Sequence, residues 1–141
     1  MFTVVIVDDS EDDRLLTQLA LEEAKLAVTI VQAVDGEDGL AKIRAHKPDL
    51  VLLDINMPRM DGMELLATMR ANGMARSIPV VIMSTSQADA DVLRSYTVGA
   101  SAYVTKPLDF NKFQEIVTAV GKFFFTVVAL PDRGRGEESA T

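Results

Sequence analysis

Four places in this chain carry residues that could do chemistry together. The acidic pair Asp8-Asp9 closes a β-branched run, and Asp54 ends the unbroken apolar run Leu50-Val51-Leu52-Leu53. Ser84 ends the apolar run over residues 80–83, and Lys106 follows a short strand-like stretch over residues 101–105. Three carboxylates held close together repel one another or bind protons unusually tightly, and a bound hard cation resolves that conflict. Oxygen ligands without sulfur or imidazole suit Mg²⁺, which keeps several of its waters and is usually shared with a phosphate. A carboxylate can also be the nucleophile in aspartyl-phosphate formation. A lysine ammonium is a point charge suited to a phosphoryl oxygen, and a serine hydroxyl can hydrogen-bond another. Phosphoryl transfer needs little beyond such positioning and charge neutralisation. Each residue also has a plainer reading: Asp54 as a turn cap, Lys106 as a solvated surface lysine, Tyr103 as core packing, Thr85 and Ser86 as loop residues.

The elements that must position these residues can be read from periodicity. Residues 3–7 form a strand, and Ser10-Glu11-Asp12-Asp13 supplies an N-cap type and first-turn acids for a helix whose Leu15, Leu16, Leu19 and Leu26 face inward. A second strand over 28–34 precedes a helix over 37–46 that turns Leu40 and Ile43 inward and stops before Pro48. Residues 50–53, apolar throughout, read as a strand buried on both faces. A helix over 63–72 with Leu65, Leu66 and Met69 inward ends at Asn72-Gly73. A strand over 79–83, a weakly amphipathic helix over 88–97 (Val92, Leu93, Tyr96), a strand over 101–105 and a helix capped by Asp109 complete the pattern. Strand and helix alternate five times, which calls for an α/β fold with a parallel sheet, helices on both faces and right-handed crossovers. Parallel strands end at one edge, so Asp8-Asp9, Asp54, Ser84 and Lys106 arrive on a single rim. Open α/β sheets place their chemistry at that rim.

Composition excludes much else. With 141 residues the chain fits one domain, and 48% apolar with 25% charged residues is ordinary for a globular protein. The absence of cysteine excludes disulfides and thiol chemistry, and the single His46 cannot form a histidine cluster. A formal net charge of −7 without a Lys/Arg cluster argues against nucleic-acid binding. No apolar run approaches the ~18 residues of a membrane span, and no signal peptide is visible, so a cytoplasmic protein with no membrane contact is expected. Residues 131–141 read as a disordered tail.

Taken jointly, the acidic pair, Asp54 with Met57-Pro58 and Asp61-Gly62, Ser84 at the end of a strand, and Gly99-Ala-Ser-Ala-Tyr-Val-Thr-Lys-Pro107 resemble the receiver domain of bacterial two-component response regulators. The resemblance covers about residues 3 to 125 and implies a flavodoxin-like, doubly wound (βα)5 fold with strand order 2-1-3-4-5. It implies that Asp54 accepts a phosphoryl group from a sensor histidine kinase, and that Mg²⁺ is held by Asp8, Asp9, Asp54 and the backbone carbonyl of Asn56. The second acid of the pair would touch the metal directly and the first largely through water. Lys106 would pair with the phosphoryl group ahead of a cis bond to Pro107. Ser84 would be the switch hydroxyl and Tyr103 the aromatic that moves with it. The protein would then be a phospho-acceptor signalling protein rather than an enzyme, catalysing only its own phosphorylation and dephosphorylation. A dehalogenase-type phosphatase would want a second Asp where Asn56 stands, and a pseudo-receiver would not keep all five site residues.

A receiver over residues 1–125 leaves a short extension, 126–141, too small for an output domain. A stand-alone receiver is therefore expected, signalling to a partner protein through its fourth helix, fifth strand and fifth helix, with a phosphate sink or relay intermediate as the alternative. The C-terminal half resembles the small regulators paired with phytochrome-type histidine kinases, although Phe123-Phe124-Phe125 stands where those carry a Tyr-Trp pair. In the last helix Phe110, Phe113, Val117, Val120 and Phe124 form one stripe at helical spacing, expected to pack on the sheet. The uncharged run over residues 123–130 would be an aggregation hazard in water. Phe123, Phe124, Phe125, Val127 and Val128 are therefore expected at a homodimer contact.

Overall fold

A computed structural model of the chain describes residues 2–55, 57, 60–73, 77–107 and 109–127. Strands β1 (Phe2–Val7), β2 (Val28–Ala33), β3 (Leu50–Leu53), β4 (Val80–Ser84) and β5 (Ala102–Thr105) alternate with helices α1 (Glu11–Glu23), α2 (Gly36–His46), α3 (Gly62–Ala71), α4 (Asp89–Val98) and α5 (Phe110–Lys122). All strand pairs are parallel, in the order β2-β1-β3-β4-β5. The alternation and its flavodoxin-like order are those expected. Among the described residues no helix is long and apolar enough to cross a membrane.

Because side chains alternate across a strand, the central strands feed two cores. Val5, Val7, Val51, Leu53, Val80 and Ile82 meet Ile43 of α2 and Leu65, Leu66 and Met69 of α3. Val4, Ile6, Leu50, Leu52, Val81 and Met83 meet Ala20 and Leu21 of α1 and Phe113 and Val117 of α5. Helix starts follow the caps: Ser10, Asp35, Asp61 and Asp109 each accept a backbone N–H of the first turn. α4 has no side-chain cap. Instead the Ser86 hydroxyl donates to Asp91 at 2.6 Å and accepts from Ala88 N at 3.3 Å.

Three helical faces differ from the sequence reading. In α1, Arg14, Thr17, Ala20 and Leu21 are buried, while Leu15 and Leu19 are 52% and 43% exposed. The N-terminal half of this face meets the polar rim, so its inward stripe is polar where a hydrophobic count looks for leucine. In α4, Leu93 and Tyr96 point outward and only Ser95 is fully covered. The Tyr96 hydroxyl instead accepts the backbone N–H of Tyr103 at 3.0 Å, on the open edge of β5. In α5, Phe110 is exposed at the start of the helix, although Phe113, Val117 and Phe124 follow the expected stripe.

α5 runs into a π-helical segment, Phe123–Val127. The wider turn swings Phe124 and Phe125 onto the chain's own core, where Phe125 stacks on Phe2 with centroids 4.6 Å apart. Phe124 thus takes the inward place its helical spacing gave it, and Phe125, expected only at a contact with a second chain, is covered by its own subunit. Phe123 remains 52% exposed. Val128 and the expected disordered tail lie outside the described residues, as does the side chain of Val127.

Gly62 opens α3 against the end of β3. A Cβ there would collide with the carbonyl oxygen of Asp54 and the Cα of Ile55. The contact is with backbone, which cannot rotate away. Gly62→Ala is expected to lose about 1–3 kcal/mol in urea unfolding, with a matching loss of whatever activity depends on the Asp54 backbone.

Candidate functional site

Register fixes the rim. Val7 pairs with Leu53, Leu53 with Ile82 and Ile82 with Tyr103, so the strands stop nearly level. Asp54 N donates to Val7 O at 2.9 Å, and Lys106 N donates to Ser84 O at 2.7 Å, carrying the alignment one step past the strand ends. One carboxylate oxygen from each of Asp8, Asp9 and Asp54 lies within 4.8 Å of the others. Asp8 is buried, Asp54 half-buried and Asp9 exposed.

Lys106 reaches into this cluster. Its Nζ lies 2.8 Å from Asp8 Oδ2, 3.1 Å from Asp13 Oδ2 and 3.8 Å from Asp54 Oδ2, with only 9% of its side chain exposed. Burial by itself would lower the pKa of Lys106. The hydrogen bond and charge of Asp8, the charge of Asp54 and the hydrogen bond to Asp13 outweigh it, so the pKa is raised above the ordinary 10.5. The ammonium thus stays charged across the neutral range. Among the described residues Asp9 has no such cation beside it.

Arg14 supports the rim from below. Its buried guanidinium donates to the Asp8 carbonyl at 2.8 Å and to Gln32 Oε1 at 3.1 Å, holding the end of β1 against α1 and β2. Asp13 and Arg14 are site residues that sequence reasoning missed. Asp13 counted only as a first-turn acid, yet it stands one helical turn above the buried Thr17, on the face that meets the rim.

On the far side, Ser84 is fully buried and its Oγ accepts from Ser86 N at 3.1 Å. Tyr103 is half-buried and its hydroxyl donates to Ser86 O at 2.8 Å. Ser86 therefore joins the end of β4 to β5 and, through Asp91, to α4. The bond before Pro107 is trans, not cis, the isomer an X–Pro bond favours by ~0.5–1 kcal/mol where nothing selects the other. Asn56, expected to lend a carbonyl to a metal, lies outside the described residues.

Chemically, the rim brings together three carboxylates whose oxygens could share a cation, one of them half-buried beside a fixed ammonium. Comparison with known proteins identifies the family. The family model for the response regulator receiver domain matches residues 4–118. The response regulator Rcp1 of Synechocystis sp. is 30% identical over 135 residues, covering 91% of this chain and 92% of Rcp1. The crystal structure of the Mn²⁺-bound form of Rcp1 superposes with a TM-score of 0.86 at 29% identity, over 94% of this chain and all of that one. The phosphorylated cyanobacterial phytochrome response regulator RcpA gives a TM-score of 0.87 at 32% identity, over 93% of this chain and 99% of its own. With acids, ammonium and hydroxyl where the strand order puts them, and a family match spanning most of the sequence, the chain belongs to the response regulator receiver domain family.

Proposed function

We propose that this receiver takes a phosphoryl group onto Asp54 from a phosphohistidine of a sensor kinase and passes the change to a partner protein through α4, β5 and α5. The observation that carries the reading is Lys106, buried between Asp8, Asp13 and Asp54 at the strand ends, an ammonium set beside a carboxylate nucleophile. Asp54 Oδ attacks phosphorus, the P–N bond to the donor imidazole breaks, and its electron pair returns to that nitrogen. Lys106 neutralises charge on the transferred oxygens. The likeness to RcpA supports a phytochrome-type kinase as the donor.

Asp8, Asp9 and Asp54 fit a hard divalent cation, since they offer only oxygens and stand close enough to share one ion. The Mn²⁺-bound form of Rcp1 supports this, and Mg²⁺ is the cation proposed here. Bound there, it would supply charge neutralisation at the phosphoryl oxygens. The chain's own part is to hold the acids in place, through Arg14 on the Asp8 carbonyl and Gly62 behind Asp54.

Ser84 transmits the result. Its hydroxyl already accepts from Ser86 N, and Ser86 holds both the Tyr103 hydroxyl and Asp91. A Ser84 side chain drawn toward a phosphoryl group would pull on that loop, and with it on α4 and Tyr103.

Incubation with a small acyl phosphate and Mg²⁺ should add one phosphate, labile to base and hydroxylamine and absent from Asp54→Asn; label retained in that variant would reject the site. Asp9→Ala should raise the melting temperature of the metal-free protein by roughly a few degrees, because it relieves like-charge repulsion, while abolishing most Mg²⁺ affinity. Calorimetry with and without Mg²⁺ checks both signs. Lys106 also predicts a pH dependence. A pKa raised on folding contributes stability in full below the unfolded value near 10.5, and that contribution is lost as pH rises through the higher folded value. The urea-stability gap between wild type and Lys106→Met should therefore be level from pH 7 to 9 and shrink above about pH 10.5.

A further inference from the structure

We infer that Asp13 is a positioning residue that limits how much of the Lys106 charge reaches Asp54, an inference that rests on Asp54 being the phosphoryl acceptor. Of the carboxylates around Lys106, the two within hydrogen-bond distance are Asp8 at 2.8 Å and Asp13 at 3.1 Å, and Asp54 stands off at 3.8 Å. Asp13 does not come from a strand end. It reaches the rim from the first turn of α1, fixed there by Ser10 Oγ accepting its backbone N–H at 3.2 Å and by Thr17 Oγ1 donating to its carbonyl at 2.8 Å.

The burial of the partners sets the direction of its effect. The Asp13 side chain is 39% exposed and that of Asp54 11%, with Lys106 between them at 9%. Asp13 therefore holds the ammonium on the solvent side of the site, and Asp54 faces it from within. An ammonium has three protons to give, and Asp8 and Asp13 engage it at hydrogen-bonding distance. One proton is left for a phosphoryl group on Asp54, and the ammonium charge that group meets is already partly neutralised by Asp13. Asp13 and Lys106 also line one recess beside the acceptor site, with Leu16, Thr85, Pro107 and Phe110, so an anion drawn to the ammonium from that side meets the Asp13 charge. Both effects have one sign: Asp13 makes the acceptor site less receptive to a phosphoryl anion than its acids, lysine and hydroxyl alone would make it.

The test compares wild type, Asp13→Asn and Asp13→Glu in two measurements. The first is the affinity for beryllium fluoride, a phosphoryl mimic, in the presence of Mg²⁺. The second is the ¹⁵N signal of Lys106 Nζ in the metal-free protein at fixed neutral pH. Asp13→Asn should bind the mimic roughly threefold to tenfold more tightly and should shift the Lys106 signal before any metal is added. Asp13→Glu, which restores the carboxylate, should bring both back toward wild type. An unchanged affinity overturns the inference. So does a weaker one, because damage to the start of α1 would loosen the site and give the opposite sign. Absence of binding in all three proteins overturns the acceptor reading, and this inference with it, and is told apart by the wild type itself failing.

Discussion

Repulsion among carboxylates at the end of two adjacent strands is the constraint on which this structure turns. Parallel β1 and β3 end nearly level, so Asp8 and Asp54 cannot avoid one another, and Asp9 adds a third charge beside them. The protein answers with a buried ammonium set among them. Lys106 arrives from β5, two strands away from β3, and spans the gap. A buried ammonium without partners would be costly, and so would the acids without it. Each therefore fixes the other's place, and the level ends of the sheet make the pairing possible.

Around that pairing the rest of the architecture can be understood as support. Arg14 ties the Asp8 carbonyl to α1 and β2, and Gly62 lets α3 start in contact with the Asp54 backbone. The reciprocal bonds between Thr3 and Asp49 hold β1 and the start of β3 at the opposite edge. Register is thus pinned at both ends of the two central strands, which is what a site assembled from strand termini needs. The loop after β4 is built differently. It is held by side-chain hydrogen bonds to Ser86 rather than by packing, and an element of that kind can change arrangement without disturbing either core.

Whereas the strand order came only with the family resemblance, the parallel sheet and the rim were legible because strand burial and strand direction leave strong marks, continuous apolar runs each closed by a polar residue. Leu65, Leu66 and Met69 in α3 were legible for the same reason. α1 was not. Its inward face carries Arg14 and Thr17 because it lies against a polar site, so of the leucines expected inward only Leu16 and Leu26 pack on the core, and Leu15 and Leu19 face solvent. That same error hid Asp13. α4 misled in a related way, since Tyr96 is placed by a hydrogen bond to the β5 backbone and not by burial. Phe124 kept to its stripe, but Phe125 was missed because a π-helical turn brings it inward off the 3.6-residue period, which hydrophobic spacing cannot foresee.

The stack of Phe125 on Phe2 has a consequence for the chain as a path. β1 begins at the edge of the sheet away from the rim, so the first strand and the end of the last helix meet there, about 20 Å of strand from Asp8. The described fold is close to a closed ring. Joining residues so near one another costs little loop entropy, and folds of this form tolerate new ends elsewhere. The site sits on the far side of the ring from the join. Whatever is fused, tethered or labelled at the join is held away from the chemistry by the length of the sheet itself.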